Sequence, residues 1–143
     1  MIKRSIFVQV LTTLVVFSAC KKDKNDSLIP NVPVNVTIYL SLPQYSSLNS
    51  IGNNAVIQSA GYRGIIVYRR SLDEFVAYDL ACPYDPTDEA AILEVDSSGV
   101  TTIDYHCGSR FSLYDGSIIN GPATRSMKNY QTDFDGNAVF ISN

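Results

Sequence analysis

The chain has 143 residues, a formal net charge of -3 and a single histidine. That length builds one hydrophobic core but not two. The acidic balance speaks against nucleic acid as a partner, and one histidine excludes zinc sites built on a histidine pair.

Residues 1–19 read as an export signal peptide: Lys3 and Arg4 form a basic start, Ile6 to Phe17 an apolar run, and Ser18 and Ala19 stand directly before Cys20. The run falls short of the ~20 apolar residues that span a bilayer, so cleavage is expected. Small residues before a cysteine resemble the lipobox of bacterial lipoproteins. This implies cutting before Cys20, acylation of its thiol, and membrane attachment through more than one acyl chain. The alternative is an ordinary secretory peptide with a chance cysteine. Loss of Lys3 and Arg4 with no acidic residue moves the net charge from -3 to about -5. The expected location is the periplasmic or cell-surface side of a bacterial membrane, and Lys21 after the lipidated cysteine resembles export onward to the outer membrane.

Residues 20–33 combine the lipidated Cys20 with a polar stretch bounded by Pro30 and Pro33 and without apolar periodicity, which reads as a tether. A folded domain over 34–143 is expected to follow. Val34, Val36, Ile38 and Leu40 alternate with Asn35, Thr37 and Tyr39, the period of a half-buried strand. The segment from Gln44 to Asn54 is polar and predicts a short helical turn or a loop. Further strands are predicted at Ile65–Arg69, Phe75–Leu80, Ala91–Val95, Val100–Tyr105, Lys128–Asp133 and Ala138–Ile141. Between them stand Asp73-Glu74, Ser98-Gly99, Asp115-Gly116 and Asp135-Gly136-Asn137, residues suited to hairpin turns. Many short strands with regular turns and no amphipathic helix predict an all-β sandwich or barrel.

The most specific stretch runs Tyr105-His106-Cys107-Gly108-Ser109-Arg110-Phe111, then Asp115-Gly116 and Asn120-Gly121-Pro122-Ala123. It resembles the second cluster loop of a Rieske iron-sulfur domain, with the Gly-Ser-x-Phe run, the Asp-Gly hairpin and the Gly-Pro-Ala loop that covers the cluster. Ala77 to Tyr84, including Cys82-Pro83-Tyr84, is similar to the first cluster loop. The resemblance covers roughly residues 34–142 and implies a Rieske-like multi-sheet β fold with a two-loop cluster subdomain.

A Rieske centre takes two thiolates on one iron and two imidazoles on the other, from Cys-x-His and Cys-x-x-His loops. Aligned on Gly108-Ser109, this sequence offers Cys82 and Tyr84 from the first loop and Asp104 and Cys107 from the second. Only Cys82 matches its family position, so an intact 2Fe-2S centre is not expected. His106 adjoins Cys107 but points to the opposite face of an extended segment. It is expected in solvent or hydrogen-bonded beside the loop, the alternative being a ligand role. Tyr84 is expected to fill the vacated space, its hydroxyl reaching Asp104 or a backbone group. Arg110 and Arg125 flank the loops as solvated charges or an anion-docking edge.

With Cys20 taken by lipid, Cys82 and Cys107 remain as an even pair in an oxidising compartment. If the loops keep a Rieske arrangement, the resemblance implies that the two face each other, and a disulfide could staple them. Such a bond, closing about 25 residues, stabilises by roughly 3 to 4 kcal/mol in the chain-entropy model. The alternatives are a buried free dithiol, a redox-active disulfide, or thiolate ligands to another metal. Three functions compete: a cluster-free, membrane-anchored structural or protein-interaction module; a 2Fe-2S electron carrier with atypical ligands; and a thiol-disulfide redox module. A protein partner is not identified by the sequence, and catalytic residues are not expected.

Overall fold

The structure is a computed structural model that describes residues 28–143. The expected signal peptide, Cys20 and most of the expected tether lie outside the described residues. No helix among the described residues is long and apolar enough to cross a membrane.

The fold is mostly β, in two sheets. The strands are β1 (Asn35–Tyr39), β2 (Asn54–Ile57), β3 (Ile65–Arg69), β4 (Phe75–Asp79), β5 (Leu93–Val95), β6 (Thr101–Asp104), β7 (Arg110–Ser112), β8 (Ile118–Asn120), β9 (Asn129–Phe134) and β10 (Ala138–Ser142). A six-stranded half-barrel sheet has the order β1-β10-β9-β4-β3-β2, and a four-stranded sheet the order β5-β6-β7-β8. All the strand pairs in the two sheets are antiparallel, and the smaller sheet is an insertion between β4 and β9.

The alternation at the start of the domain does what its period requires: Ile38 and Leu40 are buried, Thr37 and Tyr39 exposed. β3 carries the unbroken run Ile65-Ile66-Val67-Tyr68, all buried. Its two faces pack into different cores. Ile65 and Val67 join Ile38, Leu48, Phe75, Ala77, Val139 and Ile141 inside the half-barrel. Ile66 and Tyr68 join Tyr78, Leu80, Leu93, Phe111 and Leu113 beneath the smaller sheet. A strand covered on both sides needs no polar face, which is why it reads as a continuous apolar run. Phe111, fully buried at the second core, contributes on the order of 2 to 3 kcal/mol of apolar burial.

Three strands escaped the sequence reading. Asn54–Ile57 lies at the end of the polar segment, yet Ala55 and Ile57 turn inward and pair with Val67 and Ile65. β7 and β8 span three residues each, too few to display a period. The polar segment ahead of β2 holds a 3-10 helix over Pro43–Asn49, which buries Leu48 in the half-barrel.

The packed chain also begins before Val34. Ile29 is 2% exposed, and Lys128 Nζ donates to the Pro30 carbonyl at 2.8 Å and to Asn31 Oδ1 at 3.2 Å. Asn143 clasps the same stretch, its amide donating to Asn31 Oδ1 and the Val32 carbonyl and accepting from Val34 N–H. Residues 29–33 are therefore part of the folded body, where the bounding prolines and the lack of apolar periodicity predict a tether.

Candidate functional site

Two loops meet beside the smaller sheet: the β4–β5 loop, which enters it from the half-barrel and carries Cys82, and the β6–β7 loop, which carries Cys107. Asp79 anchors the first. Its buried carboxyl accepts hydrogen bonds from the N–H groups of Tyr62 (2.6 Å), Arg63 (3.2 Å) and Ala81 (2.9 Å) and from the Tyr130 hydroxyl (2.6 Å). The chain leaving β4 is held further by Cys82 N–H on the Ala91 carbonyl and Leu93 N–H on the Leu80 carbonyl. Cys82 thus enters the second core with no exposed surface.

Asp104 organises the second loop. Its Oδ1 accepts the N–H of His106 at 2.7 Å and of Cys107 at 3.3 Å, a turn closed by the side chain of its first residue. The other carboxylate oxygen is left to face the sulfurs: Cys107 Sγ donates to Oδ2 at 3.2 Å. Cys107 Sγ also lies 3.0 Å from Ser109 Oγ and accepts the Ser109 N–H at 3.4 Å. Ser109 Oγ in turn accepts the Ala123 N–H at 3.2 Å, which fastens the Gly-Pro-Ala loop over the site. Gly121 makes this contact possible. It has φ +105, and a Cβ there would stand 2.4 Å from Ser109 Cα.

Cys82 Sγ and Cys107 Sγ are 3.8 Å apart, and the ligand atoms of Cys82, Asp104 and Cys107 all lie within 4.8 Å of one another. Cys82 and Asp104 are buried and Cys107 half-buried. Burial pushes the Cys82 thiol well above its ordinary range, and the hydrogen-bonded Asp104 carboxylate pushes it the same way. Burial also raises Asp104, but hydrogen bonds from the two thiols and from two backbone N–H groups outweigh it and hold the carboxyl below its usual value.

The sequence-predicted residues divide accordingly. Cys82, Asp104 and Cys107 converge, with Ser109, Gly121 and Ala123 around them. The expected disulfide is not formed: both cysteines are free, Cys107 being held by Asp104 and Ser109 short of bonding distance. Tyr84 does not fill the site, since its side chain stands 52% exposed and Asp104 is served by backbone N–H groups and thiol instead. His106 lies outside, Nε2 3.1 Å from Asp88 Oδ2, so that it ties the two loops together at the surface. Gly108 is exposed and takes φ +79 after Cys107, Pro122 is exposed, and Arg110 pairs with Asp96 at 2.9 Å. Arg125 is exposed on the covering loop. Sequence reasoning missed Asp79, whose role appears only when four donors from separate segments close on it; a lone aspartate ending a strand carries no local signal.

No family model matches the chain, and comparison with curated proteins returns no match.

Proposed function

We propose that this chain is an exported, lipid-anchored Rieske-like domain that has lost its 2Fe-2S cluster and serves as a structural or protein-interaction module. The observation that carries the reading is the donor set between the two loops. A cluster needs four donors divided between two irons, two of them imidazoles in this family. Here three donors crowd within 4.8 Å of one another, and the one histidine is paired with Asp88 at the surface. Such a set does not fit two irons. The Rieske-like fold itself is supported by the small sheet inserted between β4 and β9, by cysteines on its two facing loops, and by the Gly-Pro-Ala loop fastened to Ser109.

Iron and acid-labile sulfide analysis with electron paramagnetic resonance of the reduced protein tests the proposal. Neither iron nor sulfide is expected in stoichiometric amount, and a full-occupancy cluster signal would overturn it. Acyl-chain labelling that is lost in Cys20→Ala tests the anchor. A thiol-disulfide module is the second reading, favoured by two sulfurs 3.8 Å apart with Cys107 half-exposed. Nonreducing mass analysis that found a reversible loss of two hydrogens would support it.

A further inference from the structure

We infer that Cys82, Asp104 and Cys107 form a binding site for a single zinc ion that bridges the β4–β5 and β6–β7 loops. The inference goes beyond the proposed function and uses only the geometry of these three side chains.

The distances suit one tetrahedral ion. Two thiolates bound to zinc at ~2.3 Å have sulfurs about 3.8 Å apart, and a thiolate and a carboxylate oxygen on the same ion about 3.5 Å apart. The sulfurs stand at 3.8 Å, Cys107 Sγ lies 3.2 Å from Asp104 Oδ2, a few tenths of an ångström inside the bound spacing, and all three ligand atoms lie within 4.8 Å of one another. The outer contacts are also those that orient ligands. Asp104 Oδ1 is held by two backbone N–H groups, so that Oδ2 faces the sulfurs, and the Ser109 N–H points at Cys107 Sγ. The mixed sulfur and oxygen set suits zinc, which has no geometric preference of its own, better than copper(I), which favours sulfur alone. The half-exposed side of Cys107 leaves the fourth position to water.

Cobalt(II) titration of the reduced, metal-free full chain carrying Cys20→Ala tests this, because cobalt reports tetrahedral thiolate ligation by its visible bands and its sulfur-to-metal charge transfer. One cobalt per chain is expected, displaced by one equivalent of zinc. Cys82→Ser and Cys107→Ser should each lower affinity at least about 100-fold and reduce the charge-transfer band, a greater loss than the 10–100-fold typical of an outer-shell partner. Asp104→Asn should keep the charge transfer and bind more weakly, and His106→Ala should bind as the parent does. Circular dichroism separates loss of the site from loss of the fold, and the parent and His106→Ala titrations stand even if a cysteine variant fails to fold. The absence of sulfur-to-cobalt charge transfer in the thiol-reactive protein overturns the inference, as does its persistence in both cysteine variants or a loss of binding in His106→Ala. Iron with stoichiometric sulfide overturns both this inference and the proposed function, whereas a protein with neither iron nor cobalt binding overturns this inference alone.

Discussion

The Tyr130 hydroxyl donates to Asp79 Oδ2 at 2.6 Å, from β9 to the end of β4, and both side chains are buried. The same carboxyl receives three backbone N–H groups, so the half-barrel and the loop that delivers Cys82 share one acceptor. Tyr130→Phe removes one of four donors and should destabilise by about 1 to 2 kcal/mol. Asp79→Ala strands three N–H groups and should cost at least about 3 kcal/mol. Urea unfolding of the two variants checks the order. Equal costs would mean that Asp79 does not anchor the loop.

Gly121 and Gly108 both have positive φ, but their surroundings differ. A Cβ at Gly121 would meet Ser109 backbone at 2.4 Å, while at Gly108 it would meet nothing within 4 Å. Gly108→Ala should therefore cost only the left-handed backbone term, roughly 1 to 2 kcal/mol. Gly121→Ala should cost more, and should also loosen the Ala123 contact to Ser109. Denaturant midpoints, with amide hydrogen exchange at Ala123, read both effects.

Burial raises the Tyr78 phenol from 10.0 to about 12, with Arg70 opposing and Asp115 adding to the shift. Tyr130 moves up as well, through burial and its bond to Asp79. A folded-state value above the unfolded one means stability that is complete below about pH 10 and lost as pH rises toward 12. Melting temperature should hold level from pH 8 to 9.5 and fall steeply above pH 10, with a shallower fall in Tyr78→Phe. An unchanged slope in that variant would rule Tyr78 out as the source.

In the reduced, metal-free protein Cys107 should react with a limiting alkylating agent before Cys82, by at least about tenfold, because reaction needs an accessible thiolate. Cys82 has no exposed surface and its thiol is pushed up by burial and by Asp104, whereas Cys107 is half-buried. Peptide mapping after brief alkylation gives the ratio. Equal labelling would show that the two loops open as freely as each other.

How much was legible can be followed along single elements. Ile65–Arg69 has in the structure the bounds its sequence predicts, opening on the β-branched run Ile65 to Val67, and the Asp-Gly and Ser-Gly pairs stand at turns, because period and turn chemistry act between near neighbours. Asn54–Ile57 was not legible, since its partner Ile65–Tyr68 supplies the pairing that its own composition does not announce.

The sequence by itself determined a β-rich chain, since hydrophobic alternation and the Asp-Gly and Ser-Gly turns are written in adjacent residues. Only the tertiary structure decided what the loops of Cys82 and Cys107 enclose. Cys82 and Cys107, 25 residues apart, come to 3.8 Å; Asp104 turns one oxygen toward them because two N–H groups hold the other; Tyr84 stays in solvent and His106 turns to Asp88. Side-chain direction in a loop follows from hydrogen bonds closed across the fold, and those exist only once the strands have found their register.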